Sequence, residues 1–113
     1  MKIIQKNITL NEITSMALSI FGNFVKAVVD IEREIIALDA ELHSDLEALL
    51  LENGSKQKNI WGINIYPDMQ GADFIEFDSM INLRPSQGNR SRNVENKEIQ
   101  KKIIAIVAKR IIA

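Results

Sequence analysis

His43 is the only histidine in this chain, and Glu41 and Asp45 stand two residues to either side of it. If the segment is extended, the three side chains point the same way, about 7 Å apart for each pair. Two chemistries follow. An imidazole titrates near neutral pH, so general acid–base work falls first to His43, with Glu41 to orient its ring. One imidazole and two carboxylates (Glu41, His43, Asp45) are also ligand types for Zn²⁺, Mn²⁺ or Fe²⁺. The metal reading is the weaker, because same-face strand residues diverge and rarely all reach one ion. The structural alternative is a solvated strand face or turn.

A second polar segment runs from Arg84 to Arg92, reading Arg-Pro-Ser-Gln-Gly-Asn-Arg-Ser-Arg. It holds three arginines and no acid. Guanidinium groups pair bidentately with phosphate or carboxylate. Gly88 permits a backbone cradle, and Gln87 and Asn89 add amide donors. The candidate anion-binding set is therefore Arg84, Gln87, Asn89, Arg90 and Arg92. The loop also leads to the start of the last helix, where free N–H groups favour anions. The spacing matches no known phosphate-loop pattern. The competing reading pairs these arginines with Glu76, Asp78 or Glu95.

These segments need a scaffold. The chain has 113 residues, the size of one ordinary domain. Hydrophobic residues make up 46% and charged residues 26%, a globular balance. The net charge of −1 argues against a general nucleic-acid or polybasic membrane binder, though not against a local RNA or phosphate contact. The chain has no cysteine, which excludes disulfides, zinc–thiolate sites and cysteine nucleophiles. The apolar runs are too short to span a bilayer, and the N-terminus lacks a signal peptide's apolar stretch. The expectation is a cytoplasmic protein.

Periodicity sets the elements. Thr9 and Glu12 have capping-box spacing, with Ile8 and Ile13 as a hydrophobic staple, so a helix is expected over about 10–21. From Phe24 the period changes to two, giving a strand that turns at Arg33–Glu34 into a second at Ile35–Leu38. The alternation over 40–47 and the apolar run 49–52 read as further strands, closed by the turn signal Asn53–Gly54. Strands follow at 60–66 and 74–84, then a polar loop over 86–95. Asn96 is an N-cap, and Ile99, Ile103, Ile106, Val107 and Ile111 form the stripe of a C-terminal helix. This predicts a single α+β domain: an antiparallel sheet of about five strands with the N- and C-terminal helices packed on one face. The other face is expected to be solvated, carrying Lys26, Asp30, Glu32, Glu41, His43, Asp45, Glu76, Asp78, Asn82 and Arg84. Trp61 and Tyr66 read as packing residues, and Asn64 and Asn82 as amides that need partners.

Several short motifs sit on this frame: Glu41-Leu42-His43, Leu50-Leu51-Glu52-Asn53-Gly54-Ser55, Trp61-Gly62-Ile63-Asn64-Ile65-Tyr66-Pro67, Ile81-Asn82-Leu83-Arg84-Pro85 and Gly88-Asn89-Arg90-Ser91-Arg92. With them the chain resembles a family of small prokaryotic proteins carrying a domain of unknown function. Its motif set is ELH, LLExGS, WGxNxYP, INxRP and GNRSR. The chain departs from it at Asp39-Ala40, where the family tends to have glycines. The resemblance implies a prokaryotic cytoplasmic protein and brings no activity, cofactor or catalytic residue.

The leading functional reading is a small-ligand-binding domain whose arginine-rich loop takes an anionic ligand. The alternatives are a small hydrolase or transferase for a phosphate-containing substrate, with His43 as acid or base, and a protein–protein interaction module. The compatible partners are an anionic small molecule and a second copy of the chain, with no membrane. No cofactor is implied.

Overall fold

The computed structural model describes residues 1–113. In chain order the elements are β1 (Lys2–Ile4), β2 (Ile8–Thr9), α1 (Leu10–Ile20), β3 (Val25–Asp30), β4 (Ile35–Leu38), α2 (His43–Glu52), β5 (Ile60–Ile65), β6 (Ile75–Glu76), α3 (Lys97–Arg110) and β7 (Ile111–Ile112). Five strands form one antiparallel sheet in the order β1-β4-β3-β5-β6. A short parallel pairing of β2 with β7 ties the end of α3 to the start of α1.

The helix ends follow local chemistry. Thr9 accepts the Glu12 N–H on its hydroxyl, as its spacing implied. Asn96 accepts the N–H groups of Glu98 and Ile99. Lys109 and Arg110 lie in the last turn of α3, where its dipole favours cations.

Alternation along the strands divides the core in two. Val25, Ala27, Val29, Trp61, Ile63 and Ile65 face α1 and α3, meeting Ile13, Ala17, Ile103, Ile106 and Val107. The two terminal helices therefore do share one face of an antiparallel five-stranded sheet. Val28, Ile35, Ala37 and Ile60 point the other way, against Leu46 and Leu50 of α2.

That second layer corrects the expected solvated face. The segment 40–47 is not a strand, and 49–52 continues the same helix. Leu46, Leu49 and Leu50 lie at i, i+3 and i+4, and Leu, Ala and Glu are strong helix formers. The alternation of Leu42, Ser44 and Leu46 obscured the longer period.

The strand expected over 74–84 is also shorter. Only Ile75 and Glu76 pair with β5, and 3₁₀ turns follow at Met80–Asn82 and Pro85–Gln87. Asp30, expected in solvent, is fully buried at the β3–β4 turn. Its carboxylate accepts the Glu32 and Arg33 N–H groups and the Ser55 hydroxyl. The Asp30 backbone carbonyl accepts the Glu34 N–H and closes the turn, in which Glu34 takes the left-handed φ of 56°.

Candidate functional site

Beyond Glu76, β5 loses its outer neighbour, and two side chains take over the pairing. Asn82 Oδ1 accepts the Gly62 N–H at 2.8 Å, while its Nδ2 donates to Gly62 O at 2.9 Å and Arg92 O at 3.0 Å. A side-chain amide thus imitates the backbone of a missing strand. Gly62 is required here, since a Cβ would come 2.6 Å from Ser79 Cβ. One turn later, Arg84 donates to the carbonyls of Ile81, Gln57 and Ile60. Its guanidinium lies 4.5 Å from the centre of the Trp61 ring. Burial lowers its pKa, opposed by the charge of Glu47.

Arg84 is therefore committed to the fold and not offered to a ligand. Asn89 is committed as well: its Nδ2 donates to the carbonyls of Asn82, Ser91 and Asn93, and its Oδ1 accepts the Glu95 N–H. Arg92 pairs with Asp78 at 2.6 Å. Gln87 and Arg90 are exposed, and the Arg90 guanidinium makes no ion pair. The five residues nominated from sequence do not form one arginine cradle, because Arg84 fills a β5 carbonyl left by the short β6, Asn89 braces the carbonyls of its own loop and Arg92 pairs with Asp78.

The loop does frame a polar cavity of about 340 Å³, lined by Gln87, Gly88 and Asn89, the helix cap Asn96 with Glu95, and Lys58, Trp61 and Ile99. Gly88 adopts the left-handed φ of 80° that lets the chain reverse here. Lys58 is exposed and makes no ion pair. Trp61 is 97% buried, on a relative exposure of 3%, and its indole N–H has no acceptor on the protein. A buried donor without a partner costs about 1–3 kcal/mol, so an unmatched one beside a cavity is informative. Sequence reasoning assigned Trp61 to packing and passed over Lys58. The signal for both was slight: a lone tryptophan and a lysine in a polar turn.

His43 lies on the opposite face of the sheet, at the first turn of α2. It is buried, and Nε2 lies 2.8 Å from Ile63 O, so Nε2 carries the proton and donates. Burial lowers its pKa; the hydrogen bond to Ile63 opposes that shift, and the charges of Lys26, Asp78 and Arg92 also reach the ring. Its ring is oriented by a backbone carbonyl and not by Glu41. Glu41 and Asp45 are exposed. Residues two apart at a helix start point to different sides, and the three form no metal-holding group. At the next residue of β5 after Ile63, Asn64 donates to Glu76 Oε1 and Asp78 O, while Tyr66 donates to the same Glu76 oxygen. Tyr66 is held above its usual pKa by burial and then by that bond.

The charge of Arg92 reaches the His43 ring, and neither residue lines the cavity at α3. No helix is long and apolar enough to cross a membrane. No curated protein and no solved structure matches the chain. A family model described as "Protein of unknown function (DUF5674)" matches residues 2–110, and the chain belongs to that family.

Proposed function

We propose that this chain is a small-ligand-binding domain whose ligand is an anion, held in the cavity between the 87–89 loop and the start of α3. The buried Trp61 indole N–H, beside this cavity and without an acceptor, carries the reading. A ligand oxygen would supply that acceptor. Lys58 would give the positive charge, Gln87 a neutral donor, and the helix start a favourable dipole. Glu95 in the cavity wall is held by the Arg90 N–H and the Ser91 hydroxyl but keeps its charge, which Lys58 and the helix start must offset for an anion to bind.

Trp61 is the only tryptophan, so its fluorescence reports on the cavity directly. Titration with inorganic phosphate, sulfate and phosphomonoesters is expected to change its emission saturably, with an affinity that weakens as salt rises. Lys58→Ala is expected to weaken binding about tenfold, which corresponds to about 1.4 kcal/mol. Calorimetry on Trp61→Phe, which keeps a ring but not the N–H, should also show a loss. Full binding by both variants, or none by the native protein, would sink the assignment.

A further inference from the structure

Away from the anion cavity, two adjoining hollows of about 550 and 440 Å³ lie against the loop that leads from β5 to β6. They share Asp68, Met69 and Ile75, so they form one continuous groove. The larger hollow adds Asp73, Glu76 and the Tyr66 ring. The smaller runs to α3 and is mostly apolar, with Phe74, Ile104 and Val107 among its walls. Met69 and Ile104 stand 47% and 48% exposed. No lysine, arginine or histidine lines either hollow. Asp68, Asp73 and Glu76 take part in none of the molecule's ion pairs.

Charge decides between occupants. A two-fold dimer sets a patch against its own copy, so acids would oppose acids. An anionic membrane surface would be repelled by the same carboxylates. A small amine would suit the acidic hollow and leave the apolar one in water. A segment that fills both must present apolar side chains beside basic ones. The flexible Met69 at the junction can reshape to such a guest.

We propose that this groove docks a basic, apolar-bearing peptide segment of another protein. Its aliphatic or aromatic side chains would lie between Met69 and Ile104, with a nearby Lys or Arg reaching Asp68, Asp73 and Glu76. Burial of the apolar groups would supply affinity, and the carboxylates would supply orientation and speed of encounter. The site shares no residue with the anion cavity, and neither proposal depends on the other.

The test uses two labelled model peptides, one built of Lys and Leu at amphipathic spacing and one with Glu in place of Lys. Fluorescence anisotropy measures binding, and amide NMR shifts locate it. The Lys/Leu peptide is expected to bind, with shifts centred on 66–76 and 104–111, and to weaken markedly by about 0.5 M salt. Ile104→Asn and Asp68→Asn/Asp73→Asn change exposed residues, so folding should survive, and each is expected to weaken binding roughly tenfold. Equal binding of the Glu/Leu peptide, or shifts elsewhere, would overturn the proposal. So would insensitivity to Ile104→Asn, which would mark simple charge attraction. Concentration-dependent dimerisation abolished by Ile104→Asn would assign the groove to a second copy, and capture by anionic vesicles would assign it to lipid; either would overturn it too.

Discussion

At the scale of single residues, His43 and Asn82 show how buried polar groups are placed in this molecule. Asn82 spends its amide oxygen on the Gly62 N–H and its amide nitrogen on the Gly62 and Arg92 carbonyls. His43 spends one ring nitrogen on Ile63 O. Its proton affinity has a consequence for stability. In the unfolded chain an imidazole titrates near 6.5, and in the fold burial lowers that value. Between the two values the unfolded state binds more protons, so stability rises with pH across that window. The full contribution is present above about 6.5 and declines as pH falls toward the folded-state pKa. Urea midpoints are therefore expected to fall between about pH 7 and 5 for the native protein, and less so for His43→Gln. Glu34, lowered by its bond to Lys109 and then by that lysine's charge, acts in a separate window below about 4.5. Parallel pH profiles for native and variant proteins would show that His43 is not the group responsible.

At the scale of elements, each of the two terminal helices buries an apolar stripe, and the stripes differ in depth. Ile103 is fully buried at the centre of the stripe of α3, whereas Ile20, at the end of α1, is 36% exposed. Ile103→Ala is expected to cost about 2–5 kcal/mol by cavity formation. Ile20→Ala should cost well under that, although periodicity alone would rank the two as equals. Denaturant melts of both variants check the ordering, and equal losses would mean that α1 is buried more deeply than its exposure indicates. Helix α2 contributes through Leu46 and Leu50, both without exposed surface. Its N-cap, Leu42, gives no side-chain hydrogen bond, so tertiary burial and not capping holds this helix in place.

At the scale of the whole molecule, both cores share one sheet. The larger core lies under α1 and α3 and the smaller under α2, with β3, β4 and β5 contributing side chains to each. Damage to one core must therefore propagate through those strands to the other. Leu46→Ala, in the smaller core, is expected to shift the Trp61 fluorescence transition in the larger core as much as the far-UV circular dichroism transition, within one cooperative step. A separate early loss of helicity, with Trp61 unmoved, would show that α2 unfolds on its own. The C-terminus joins the same unit: Arg110 donates to the carbonyls of Glu34 and Lys6, and Lys109 pairs with Glu34 at 2.8 Å.

Where local chemistry acts alone, the sequence was sufficient. Thr9 and Asn96 as caps, the period-two run from Val25, the turn at Arg33–Glu34 and the buried Ile103, Ile106 and Val107 of α3 are short-range signals, and each stands where it was expected. Together they determined an α+β domain with its terminal helices on one face of an antiparallel sheet. Tertiary structure decided what those signals leave degenerate. Residues 43–52 fit both periods, and only the apolar face formed by Val28, Ile35, Ala37 and Ile60 selects the helix. Arg84 and Asn89 have the composition of an anion loop, yet a β5 carbonyl left unpaired by a two-residue β6 claims Arg84, and carbonyls of the loop itself claim Asn89. A buried backbone acceptor without a partner is costly wherever it lies, and nothing in the spacing of Arg84, Arg90 and Arg92 reveals where β6 will stop. Lys58 and Trp61 are neighbours in the chain, but the loop and helix start that close a cavity over them come from distant sequence.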